Sequence, residues 1–322
     1  MKFHQLYRFA LCCSLLLGSQ VAPAAQEAKG RRAAQAHVAS ERLQRVVEEA
    51  VGAALARFKE KGLAEKNLAV TLVDVRDPQR LERASFRGDE PIYPASVVKL
   101  FYLDAAHRWL EDGKLRETDE LKRALRDMIV DSSNDATHYI VDALTGTSNG
   151  AELSESEMKK WSERRNVVNR YFAGLGYTRV NINQKPWCEG PYGRERQFLG
   201  AKFENRNKLT TDATARLLTE IVLGRAVTPT RSALMMELLK RDFSGQSKDA
   251  DDQAHGFTGM ALEAGARLWS KAGWTSTTRH DAAYVELPNG QRFVLVVFTT
   301  DFANQRDIIP TIARTVIERL KA

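Results

Sequence analysis

The chain has 322 residues, 43% of them hydrophobic and 28% charged, with a formal net charge of +7. Basic and acidic residues are interspersed and no basic block is backed by aromatics, so nucleic-acid binding is not indicated. The six histidines show no metal-ligand spacing and no glycine-rich phosphate loop is present, so neither a metal nor a cofactor is expected.

Lys2 and Arg8 precede an apolar stretch from Phe9 to Gly18, and Ala22-Pro23-Ala24 gives the small-residue pattern of a signal-peptidase site. The expectation is an exported chain, periplasmic or secreted, cut after Ala24. The apolar run is too short for the roughly 20 residues that span a bilayer, so no transmembrane anchor is expected in the mature chain. Removing residues 1–24 takes two positive charges, 7 − 2 = +5, and leaves Cys188 as the one remaining cysteine, so no intrachain disulfide forms.

Next comes a polar, Ala-rich stretch from Gln26 to Ala39, read as a mobile leader, with a single catalytic domain over 41–322. Apolar residues at helical spacing from Glu41 to Lys61, including Leu43, Val46, Val47, Ala50, Val51, Ala54 and Leu55, predict a helix. The β-branched run Leu68 to Val75 predicts a strand. From Ser96 to about residue 240 the pattern is nearly all helical, and Thr228-Pro229 marks one helix start. Strand signals return at Ala282–Leu287 and Gln291–Thr300, joined by the turn sequence Pro288-Asn289-Gly290. A helix over about 305–320 ends the chain. Strands at both ends with helices between imply an α/β domain: one antiparallel sheet completed by both chain ends, flanked by helices, with a central all-helical subdomain. Two long segments, Gln184–Lys208 and Phe243–Gly265, read as long loops or insertions, functional or disordered rather than structural.

The chemistry begins at Ser96-Val97-Val98-Lys99. A lysine inside the apolar run that continues to Ala106 is anomalous, because lysine is almost never fully buried without a reason. If a helix starts just after Pro94, Ser96 and Lys99 share a face at i, i+3. A desolvated amine there has a lowered pKa and can accept the hydroxyl proton, so Ser96 is a candidate nucleophile and Lys99 its base. A second Ser-x-x-Lys, Ser156 to Lys159, lies in a highly charged segment and reads as a solvated helix face. His280 beside Asp281 invites a Ser-His-Asp triad. Adjacent strand residues point to opposite faces, however, which makes His280 a bystander.

Downstream of Ser96 lie Ser132-Ser133-Asn134 and then Lys271-Ala272-Gly273, followed by Thr278-Arg279-His280-Asp281. Taken alone, the first is also a good helix N-cap and the second an ordinary strand entry. Ser-x-x-Lys, Ser-x-Asn and Lys-x-Gly in that order resemble the penicillin-recognising serine hydrolases, and most closely the class A β-lactamases. The resemblance runs from about residue 41 to the C-terminus.

It implies the β-lactamase/DD-peptidase-like fold and an acyl-enzyme at Ser96. Ser132 would pass a proton to the leaving nitrogen, and Asn134 would bond the substrate amide. Lys271 and Arg279 would hold its carboxylate. The oxyanion hole would combine the Ser96 N–H with one from the strand after Gly273, assigned to Thr275. The implied partner is a small β-lactam or an acyl-D-Ala-like peptide, and the protein is expected to be a monomer.

Three departures from the family pattern stand out. Ser133 replaces the usual aspartate. Ala272 replaces a hydroxyl-bearing residue, a loss of one charge-assisted hydrogen bond worth about 1.5–3 kcal/mol. The Glu-x-x-Leu-Asn pattern that supplies the deacylating glutamate is absent; Glu189, near Trp187 and Pro191, is the candidate base, with Glu195 behind it. With such a base the expected activity is β-lactam hydrolysis. Without it the protein would be a D-Ala-D-Ala-type peptidase or esterase, and a non-catalytic ligand-binding relative is the alternative from another class.

Overall fold

The computed structural model describes residues 37–321 except 188, 189, 246, 248 and 250. The signal-peptide expectation and Glu189 lie outside the described residues. Seven strands form one sheet in the order β1-β3-β2-β7-β6-β5-β4: β1 (Val38–Ala39), β2 (Leu68–Asp74), β3 (Glu82–Phe86), β4 (Lys240–Arg241), β5 (Arg267–Trp274), β6 (Thr278–Glu286) and β7 (Arg292–Thr300). Every pairing is antiparallel except β1 with β3, which is parallel.

β2 and β7 sit in the middle of the sheet and are buried on both faces, which is why their sequences read as continuous apolar runs. Along β7, Phe293, Leu295 and Val297 join one apolar cluster while Val294, Val296 and Phe298 join another. The first cluster lies under α1 (Glu41–Arg57) and α10 (Ile308–Lys321), the helices at the two ends of the domain. The second continues into the helical subdomain: α2 (Lys99–Glu111), α3 (Asp119–Ile129), α4 (Asn134–Thr145), α5 (Glu155–Arg165), α6 (Val167–Gly174), α7 (Gly193–Leu199), α8 (Thr211–Val222) and α9 (Pro229–Leu239). The α/β fold with a central helical subdomain is therefore as expected.

Several local expectations hold for their stated reasons. The Thr228 side chain accepts from the Arg231 N–H and Pro229 opens α9. Gly290, at φ +85°, allows the tight β6–β7 turn. The decoy Ser156–Lys159 lies on the exposed side of α5.

Others need correction. Val38–Ala39, at the end of the stretch read as a mobile leader, forms an edge strand on β3, and Ser40 caps α1 by accepting from the Leu43 N–H. The sheet is thus not purely antiparallel. The two long loops carry local structure: α7 in the first and a 3-10 turn over Phe257–Ala261 in the second. Among the described residues no helix is long and apolar enough to cross a membrane.

Candidate active site

Ser96 lies in a 3-10 turn, Ala95–Val98, that runs directly into α2. The turn follows Pro94 and passes through Ala95 at φ +47°, a left-handed conformation that costs about 1–2 kcal/mol for a residue with a Cβ. Lys99, the first residue of α2, is fully buried as the apolar run required. Its Nζ donates to the Ser132 carbonyl at 2.6 Å and the Asn134 Oδ1 at 2.8 Å, and lies 3.4 Å from both Ser132 Oγ and the Ser133 carbonyl.

The second motif occupies the α3–α4 junction. Ser132 takes φ +55°, and Ser133 caps α4 by accepting from the Ala136 N–H at 3.1 Å. Ser133 is the cap, as the N-cap reading expected, and Ser132 and Asn134 face Lys99. Ser133 in place of aspartate therefore has a local role of its own.

Lys271 comes from β5. Its side chain is also fully buried, and Nζ lies 2.9 Å from Ser132 Oγ. Ser132 Oγ is thus held between two lysines from different elements. Burial, then the like charges of Lys99 and Arg241, push the Lys271 amine well below its usual pKa. Lys271 also donates to Gln253 Oε1 at 2.6 Å and to the Ala272 carbonyl at 2.8 Å, so its three donors are all engaged.

Gln253 was not identified from sequence. Its Oε1 also accepts from the Ala272 N–H at 3.2 Å, and its Nε2 donates to the Ile129 and Val130 carbonyls at 3.2 and 2.9 Å. One buried carboxamide from the Phe243–Gly265 segment thereby ties β5 to the chain entering Ser132. Buried Arg241 adds bonds to the Ile129 and Ser270 carbonyls, at 3.1 and 2.8 Å.

Gly273 brings β5 against the nucleophile turn. A Cβ at this position would lie 2.7 Å from the Ser96 nitrogen and 2.8 Å from that of Val97, so only glycine permits the approach. The Thr275 expectation fails in one respect. Its N–H donates to the Thr278 carbonyl at 2.9 Å, closing the β5–β6 turn, and its hydroxyl accepts from the N–H groups of Thr277 and Thr278.

Because Thr275 and Thr278 form a hydrogen-bonded pair, the preceding pair, Trp274 and Arg279, is the non-hydrogen-bonded kind. The Trp274 N–H therefore points away from β6, towards the open side of β5. It is the strand N–H that can accompany that of Ser96.

Arg279 is on the opposite face of the sheet from Lys271, the face it shares with Ala272. It stacks over Phe257 at 3.8 Å and pairs with Asp251 at 2.6 Å, so the structure does not bring it together with Lys271. Ala272 is fully buried among Leu268, Ala283 and Phe257.

The loop that carries Glu189 and Glu195 is staked along its outgoing leg. The Gln184 carbonyl accepts from Tyr102 Oη at 2.8 Å and Asn207 Nδ2 at 2.8 Å, the Pro186 carbonyl is bonded by His138, and the Trp187 carbonyl accepts from Asn134 Nδ2 at 2.7 Å. Asn134 thus joins Lys99 to the residue two before Glu189. Glu195 has a different occupation: it is buried, and its carboxylate is clamped by Arg165 through bonds of 2.5 and 2.8 Å. That pair ties α7 to the end of α5, so the Glu195 carboxylate is committed to a structural contact rather than to a base role.

A model of the Beta-lactamase enzyme family matches residues 119–320. The chain belongs to that family. Family membership fits the constellation of Ser96, Lys99, Ser132, Asn134, Lys271 and Gly273, all but the first two within the matched span.

Similar solved structures include a β-lactamase from Sphaerobacter thermophilus, 21% identical, covering 84% of this chain and 96% of that one with a TM-score of 0.60. A β-lactamase from Xanthomonas campestris pv. campestris is 16% identical, with 85% and 98% covered and a TM-score of 0.61. A PBP-A variant in acyl-enzyme complex with penicillin G is 17% identical, with 87% and 97% covered and a TM-score of 0.60. These likenesses establish the class A β-lactamase-like fold. No curated protein sequence matches the chain.

Proposed function

We propose that the protein is an exported serine hydrolase that forms an acyl-enzyme at Ser96 and hydrolyses the β-lactam amide. The observation that carries this reading is the single hydroxyl of Ser132 set between the buried amines of Lys99 and Lys271, 3.4 and 2.9 Å away.

In the proposed mechanism the Ser96 oxygen attacks the lactam carbonyl and its proton passes to Lys99, one helical step along. The Ser96 and Trp274 N–H groups receive the oxyanion. Ser132 gives its proton to the lactam nitrogen as the C–N bond breaks and is recharged by Lys271, whose lowered pKa eases that transfer. Asn134 Nδ2 has one N–H engaged by Trp187 and a second for the acyl-side amide. With its donors committed, Lys271 acts on a substrate carboxylate through its field.

Deacylation is assigned to Glu189, because Glu195 is tied to Arg165. This assignment divides the two readings within the class. Should Glu189 not activate water, the protein would be a D-Ala-D-Ala-type peptidase, as the likeness to a penicillin-acylated PBP-A would suit. Steady-state hydrolysis of a chromogenic β-lactam by the mature protein, followed by intact mass, tests the choice. Turnover above the buffer rate that falls about 10²–10⁴-fold in Glu189→Gln is expected for loss of a general base. A stable one-to-one adduct without turnover refutes hydrolysis in favour of the peptidase type, and no adduct refutes the acyl-enzyme altogether.

A further inference from the structure

β6 presents His280 on the same face of the sheet as Lys271 and Gly273, because His280 and Gly273 are register partners and side chains alternate along each strand. The ring is fully buried and lies against Phe298, with centroids 4.5 Å apart. Both of its nitrogens are bonded to main chain. Nδ1 lies 3.0 Å from the Thr299 nitrogen, and Nε2 lies 2.9 Å from the Tyr93 carbonyl oxygen. A backbone N–H only donates and a carbonyl only accepts. The two contacts together require a neutral imidazole with its proton on Nε2.

Tyr93 stands three residues before Ser96. Between them the chain passes Pro94, which has no N–H, and the left-handed Ala95, a conformation that a residue with a Cβ keeps only when its surroundings impose it. On its other side Tyr93 is gripped by Arg206 from the return leg of the loop, whose guanidinium lies 3.6 Å from the ring centroid. The turn that aims Ser96 is therefore held at Tyr93 from both the sheet and the loop.

We propose that His280 is a positioning residue for the nucleophile: its Nε2–H bond to the Tyr93 carbonyl fixes the turn that sets the Ser96 hydroxyl and N–H beside Gly273. The role rests on the acyl-enzyme reading above. It differs from a triad histidine, since the ring touches no reacting atom and its proton stays in place throughout.

Two substitutions separate the two bonds. Glutamine places an amide N–H near the position of Nε2, while asparagine places an acceptor near that of Nδ1. His280→Gln keeps the bond to Tyr93 and loses that to Thr299; His280→Asn does the reverse. Both lose packing on Phe298, so both are expected to melt at lower temperature than the wild type.

The rate constant for penicilloyl-adduct formation is expected to stay within about fivefold of wild type in His280→Gln and to fall about 10- to 100-fold in His280→Asn, as for a displaced nucleophile. Penicillin affinity should be little changed in either. Equal losses in the two variants, or a larger loss in His280→Gln, overturn the role while leaving the acyl-enzyme reading intact. A wild-type protein that forms no adduct overturns both. Independently of folding in the variants, ¹⁵N NMR of the wild-type imidazole should show a protonated Nε2 and an unprotonated Nδ1; the opposite tautomer overturns the proposal.

Discussion

Adding one methyl group at Gly273 probes how closely the strand must approach the serine. The Cβ of Gly273→Ala would lie 2.7 Å from the Ser96 nitrogen, 2.8 Å from the Val97 nitrogen and 2.9 Å from the Pro94 oxygen. All three are backbone atoms and cannot rotate aside. Ordinary contact begins at 3.4 Å, so β5 and the nucleophile turn must separate by 3.4 − 2.7 = 0.7 Å.

That displacement spreads the two N–H groups assigned to the oxyanion. Losing one oxyanion donor outright costs about 10²–10³ in rate, so lengthening both bonds should slow acylation by about 10- to 100-fold. Stopped-flow acylation by a fluorescent penicillin reads the rate constant, and a melting curve confirms that the variant is folded. Acylation at the wild-type rate in a folded Gly273→Ala protein would refute the placement of β5 against the Ser96 N–H.

Other outcomes follow from buried polar groups. Asp104, inside α2, accepts from Tyr171 Oη at 2.9 Å, and burial raises its carboxyl to about 7 from the usual 3.8. Because the folded pKa is the higher, its contribution to stability is full below about pH 4 and is lost as pH rises through 7. Asp104→Asn should therefore exceed the wild type by about 2–4 kcal/mol in urea unfolding at pH 8, and the difference should vanish near pH 4.

Arg165→Met removes the two-bond clamp on buried Glu195 and leaves it only Lys185, 3.6 Å away, so it should cost about 3 kcal/mol, whereas Arg165→Met with Glu195→Met should recover much of it, as a double-mutant cycle would show. Gln253→Leu removes the 2.6 Å acceptor of Lys271 and strands the Ala272 N–H. It should lower stability by about 1–3 kcal/mol and slow acylation; an unchanged acylation rate would show that Lys271 needs no anchor there.

The motifs were legible because each is local. Ser96 and Lys99 are one helical step apart, and Ser132 to Asn134 and Lys271 to Gly273 are contiguous. Their order implied a common cleft, which the fold supplies by placing α2, the α3–α4 junction and β5 together. The strands of the sheet centre were legible for the same kind of reason: double burial leaves β2 and β7 uniformly apolar.

β3 was not foreseen. Its sequence, Glu82-Arg-Ala-Ser-Phe86, buries only Ala84 and has no continuous apolar run, so pairing with β2 rather than composition makes it a strand. Gln253 and Arg165 were missed because their partners, Lys271 and Glu195, lie 18 and 30 residues away with no motif linking them. The strand N–H was assigned to Thr275 rather than Trp274 because the alternation of hydrogen-bonded pairs depends on where the hairpin closes, which sequence does not specify.

The central claim is that Ser96 carries the acyl group. The most direct test is peptide mapping by mass spectrometry of the protein quenched in acid after mixing with a penicillin. The account predicts the penicillin mass on the peptide containing Ser96, and its loss in Ser96→Ala together with all turnover. An adduct on another residue, or continued hydrolysis by Ser96→Ala, would contradict it.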